Sequence, residues 1–71
     1  MIDQELIGRS AIVRDPHGQI RSGVVVAIVQ DGPCVYAYVE DDGDSTPDAT
    51  SRGLVYRAAI DGSGFRLEAE L

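Results

Sequence analysis

The sequence predicts an all-β protein: one small five-stranded barrel, mostly an antiparallel meander, with a short helical turn ahead of it. Three observations lead there. From Arg9 onward the apolar residues recur with a period of two rather than 3.6. Turn-forming clusters, DPHG, DGP and DGSG, divide the chain at short intervals, and only one connection, the acidic stretch at 40–52, is long. At 71 residues the chain is the size of a single domain spanning 1–71. A domain this small buries only about 60% of its unfolded surface, so modest stability and help from self-association are expected.

Each element has a local reason. Asp3 is placed to cap one helical turn, Gln4 to Ile7, whose Ile2, Leu6 and Ile7 would cover one end of a core. RSAIVR is a short strand, stopped at DPHG, where Asp15 leads the turn, Pro16 presets its own φ and Gly18 accepts a positive one. QIRSGVVVAIVQ is a long strand, apolar on both faces from Val24 to Val29, with Gly23 as the expected bend or bulge. After DGP, the segment CVYAYVE sets Val35, Ala37 and Val39 on one face and Tyr36 and Tyr38 on the other, leaving open which is buried. GLVYRAAI is a fourth strand and DGSG a hairpin turn. FRLEAEL is a fifth strand, expected to point Phe65, Leu67, Ala69 and Leu71 inward and Arg66, Glu68 and Glu70 to water.

Composition removes several functions. A formal net charge of −6 has the wrong sign for coating phosphate backbones, which disfavours nucleic-acid binding. All six basic residues are arginine, so Schiff-base chemistry, a lysine base and a phosphate-loop lysine are excluded. The lone Cys34 cannot form an internal disulfide, no apolar stretch of signal-peptide length lies near the N-terminus, and nothing approaches a membrane span of ~20 apolar residues. A soluble, cytoplasmic protein with no membrane partner is expected.

The run IVRDPHGQIRSGVVVAIV, a further short strand and GLVYRAAI together resemble the SH3-like barrels, which include Tudor and KOW-type modules and a plasmid-borne dihydrofolate reductase. The resemblance covers most of the chain as a rhythm of strands and turns. It implies a binding module. KOW-type modules dock on ribosomal or polymerase surfaces, and Tudor modules use aromatic cages, for which the three tyrosines and Phe65 would be the material. Of the reductase's Val-Gln-Ile-Tyr strand only Tyr56 carries over, within Leu54-Val55-Tyr56, and the active-site lysine has no counterpart.

No catalytic or metal motif emerges from the spacing. Read as an EF-hand, the acidic stretch puts Gly43 at position 4 or 2 instead of 6, and Ser51 or Gly53 where a bidentate glutamate is required. A looser calcium cage from Asp42, Asp44 and Asp48 competes with a plain solvated loop broken by Gly43 and Pro47. Cys34 and His17 form the one conceivable nucleophilic pair, but a strand of twelve residues, ~40 Å if straight, separates them, and a buried or half-buried cysteine with a turn histidine is the simpler reading.

The expected function is therefore a non-enzymatic interaction module without cofactor. It would bind a partner protein through an exposed sheet face bearing Tyr36, Tyr38, Tyr56 and Arg57, together with the acidic loop residues Asp41, Asp42 and Asp44. A homodimer formed through an unpaired strand edge is the first expected partner. Two alternatives stand beside it: an acidic inhibitor or nucleic-acid mimic occupying a basic surface, and an oligomeric enzyme with a site at a symmetry axis.

Overall fold

In the computed structural model, which describes residues 4–45, 50–62 and 64–71, five strands close into a barrel in the order β1-β2-β3-β4-β5. They are β1 (Ser10–Arg14), β2 (Ile20–Asp31), β3 (Cys34–Asp41), β4 (Val55–Asp61) and β5 (Gly64–Glu70), preceded by a 3₁₀ turn at Gln4–Leu6. The Asp3 cap, Ile2, and the Pro47 and Asp48 part of the acidic connection lie outside the described residues. Leu6 packs on the core as expected, whereas Ile7 stays 42% exposed, because the single turn ends before it.

Each sequence-adjacent pair of strands is antiparallel, so direction alternates along the meander. With an odd number of strands the first and last must then run the same way. The barrel accordingly closes through a parallel seam, Val13 opposite Phe65 and Arg14 opposite Arg66. This seam is short, and β1 is much shorter than β2. The turn between them is held by Asp15, buried at 8% exposure, whose carboxylate accepts the His17 and Gln19 amides at 2.9 and 2.8 Å.

Ala11, Val13, Val25, Ile28, Ala37, Val39 and Ala58 fill the interior, with Val35, Ile60, Phe65 and Leu67 packed against them. Alanines at 37 and 58 keep the barrel narrow. Gly23 lies between β1 and β3, opposite both Ala11 and Asp41, and a Cβ there would overlap the Glu40 carbonyl oxygen and lie 2.7 Å from Val39 Cγ1. The bulge is not at Gly23 but between Val25 and Ala27, where Val26 is the unopposed residue.

A second bulge corrects the expected pattern of β5. Ala58 lies opposite Leu67 and Arg57 opposite Ala69, so Glu68 is the extra residue. Phe65 and Leu67 face the core as expected; beyond the bulge the faces exchange, placing Ala69 beside the outward Arg57 and Glu70 beside the inward Tyr56. Leu71, expected inside, is 68% exposed.

Candidate functional site

The candidate residues separate into two groups on opposite sides of one sheet. On the outside, the register sets Val29, Tyr36, Ala59 and Arg66 in one row across β2 to β5, and Ala27, Tyr38, Arg57 and Ala69 in the next. The tyrosines point outward because Val35, Ala37 and Val39 of the same strand turn into the barrel. Both are half-buried, Tyr36 between Val29 and Ala59 and Tyr38 between Ala27 and Arg57.

Arg57 completes this face. Its guanidinium lies over the Tyr36 ring, 5.1 Å from the centroid, a cation–π contact that fixes a long side chain flat on the sheet. Stacking shuts the Nε of Arg57 away from solvent, and no acceptor reaches it among the described residues. Cys34, two residues before Tyr36 on the same strand, raises the Tyr36 phenol above its ordinary value through a thiol contact, with burial and Glu68 adding and Arg57 opposing. Cys34 itself is exposed, against the expected buried or half-buried setting, because it begins β3 at the turn. His17 lies in the turn at the other end of β2, so the two do not form a dyad.

On the inside, one end of the barrel carries a polar relay. The Tyr56 hydroxyl donates to Asp41 Oδ2 at 2.8 Å and accepts from Arg21 Nη1 at 2.9 Å, while the same Nη1 pairs with Glu70 Oε1 at 2.9 Å. Asp41 Oδ1 accepts the Gly43 amide at 2.7 Å, and the Arg21 guanidinium lies 5.0 Å from the Tyr56 ring centroid. Burial raises the Tyr56 phenol, and the bond to Asp41 adds to this while Arg21 opposes it. A neutral phenol between a carboxylate and a guanidinium satisfies all three groups where water has little access.

This geometry corrects two of the expected partner-binding residues. Tyr56 is 0% and Asp41 1% exposed, so neither is offered to a partner. Tyr56 shares the inward face of β4 with Ala58, and Asp41 continues the inward alternation of Ala37 and Val39 on β3. Asp42 is also engaged: its Oδ1 accepts the Ser22 hydroxyl at 2.8 Å and the Asp44 amide at 2.9 Å. The Asp44 amide, then Ser22, hold its carboxyl below the ordinary range. Of Asp41, Asp42 and Asp44, Asp44 alone is exposed. No group of three His, Cys, Asp or Glu side chains suited to a metal occurs among the described residues.

Arg21, Ser22 and Glu70 were not singled out from sequence. Arg21 carried a readable signal, since it shares alternation with Gly23 and Val25 and so points inward once Val25 is known to be core. Glu70 carried none, because the Glu68 bulge decides its side. No helix among the described residues is long and apolar enough to cross a membrane. No family model, no curated protein and no solved structure matches the chain.

Proposed function

We propose that the protein is a non-enzymatic interaction module of SH3-like architecture that binds a partner protein through the outward face formed by Tyr36, Tyr38 and Arg57. The observation that carries this is the Arg57 side chain, stacked on Tyr36 with an Nε that is both shielded and without an acceptor among the described residues. A guanidinium already held flat on a ring has met part of the ordering cost of binding, and a partner carbonyl or carboxylate that meets its edge gains a charge-assisted bond. Tyrosine and arginine are the residue types that concentrate binding energy at interfaces, and alanines at 27, 59 and 69 leave room for a partner to seat against the rings. A reducing cytoplasm fits a module whose lone cysteine is exposed.

The acidic-decoy reading is the weaker one, since Asp41 is sealed in the barrel and Asp42 is committed to Ser22 and to the loop backbone. Quantitative affinity enrichment from an extract of the source cells separates the two. Tyr38→Ala and Arg57→Ala should each abolish capture of the same partner, whereas Asp44→Asn and high salt should leave it bound. Capture that persists in the face variants, or that vanishes with salt and Asp44→Asn, would reject the tyrosine face.

A further inference from the structure

β2 runs seven residues beyond the last residue that β1 pairs with. The β1 register ends at Val24, Gly8 and Arg9 then bond to Val25, and from Val26 to Asp31 the strand is paired with β3 alone among the described residues. One edge of this overhang therefore presents backbone groups that are unpaired among the described residues. The Val26 bulge guards one end and Asp31 the other. Between them Ala27, Ile28, Val29 and Gln30 carry no charge, proline or lysine, the devices that normally keep an edge from pairing.

We infer that this edge pairs with its own counterpart in a second copy of the chain, antiparallel about a two-fold axis normal to the sheet. Four features select a second copy. An antiparallel edge is self-complementary, because a two-fold axis gives each donor the acceptor related to it. The four-residue stretch is neutral in a protein of net charge −6, so pairing sets no like charges directly opposite. An antiparallel register that overlaps Ala27–Gln30 with itself also carries Asp31 to the bulged end of the other copy's strand, away from the other Asp31. Val26 and Val29, 45% and 42% exposed, lie in the strand that would meet across the axis.

The result is one sheet running β5-β4-β3-β2 and then β2-β3-β4-β5 of the second copy, with both sets of Tyr36, Tyr38 and Arg57 on the same side. The inference does not require the tyrosine face to bind anything. A short edge implies weak association, seen at high micromolar to millimolar protein.

Sedimentation equilibrium over that concentration range, paired with amide hydrogen exchange, tests it. Wild-type protein should self-associate, with exchange at Ala27–Gln30 slowing as concentration rises. Val29→Lys should weaken association by roughly tenfold or more, while Val29→Thr, uncharged and strand-forming, should retain it. Tyr38→Ala should leave association intact, which keeps this test separate from that of the tyrosine face. If Val29→Lys fails to fold, concentration-dependent protection in the wild-type strand decides. A wild-type monomer throughout, association unaffected by the lysine, or association lost only with Tyr38→Ala would each overturn the edge interface.

Discussion

Removing one oxygen from the barrel end, by Tyr56→Phe, tests the relay. The ring stays, so packing is conserved; what goes is the hydroxyl that donates to Asp41 at 2.8 Å and accepts from Arg21 at 2.9 Å. Asp41, 1% exposed, has no route to water for its abandoned oxygen, and a lost bond to a buried carboxylate costs about 1.5–3 kcal/mol. Arg21 keeps Glu70 and is partly exposed, so its loss adds only a few tenths, by the scale of exposed charge pairs. The expected destabilisation is about 2–3 kcal/mol. Urea unfolding followed by circular dichroism should show the midpoint falling by about 2–3 M, taking a slope near ~1 kcal/mol/M for a domain of this size. The slope itself should not change. A cycle with Asp41→Asn should give a coupling of about 1 kcal/mol or more. A loss below about 0.5 kcal/mol at unchanged slope would refute the account, because it would mean that the phenol does not satisfy the buried carboxylate.

Other consequences follow from the same contacts. Gly23→Ala drives a Cβ against the Glu40 carbonyl and Val39, both inside the sheet, and should cost about 3 kcal/mol or more, read as a lowered thermal midpoint. On the alkaline side, the Tyr56 phenol is raised in the folded state above its ordinary value of 10.0. Its contribution is thus fully present below that value and lost as pH rises through the folded one; urea midpoints should fall above about pH 10, and less so in Tyr56→Phe. On the acid side, the Asp42 carboxyl is lowered, so its contribution is present above the ordinary value of 3.8 and lost as pH falls through the folded one. Carbon NMR titration should find the Asp42 inflection below that of a free aspartate and moved up towards it in Ser22→Ala.

Strand and turn positions were legible in the sequence because their causes are local. Period-two alternation, Asp15 ahead of Pro16, and glycines at turns act over a few residues, and they located the barrel's five strands, the hairpins and the long connection. They also set Tyr36 and Tyr38 on one face of β3, though not which face. That was decided by the competition for a narrow interior, where Val35, Ala37 and Val39 fit and two tyrosine rings do not.

The fates of Tyr56, Asp41 and Glu70 were set by contacts made only on folding. Tyr56 reads as one more tyrosine in an apolar run until Arg21, 35 residues away in sequence, is brought to its hydroxyl by closure of the barrel. Asp41 reads as a surface acid until β3 carries its inward alternation on past Val39. Glu70 changes sides through a single unopposed residue, Glu68, which no local pattern announces. Where the chain extends and where it turns depends on neighbouring residues and could be read from them directly. Which side chains meet depends on register between distant strands, where a one-residue shift exchanges the two faces.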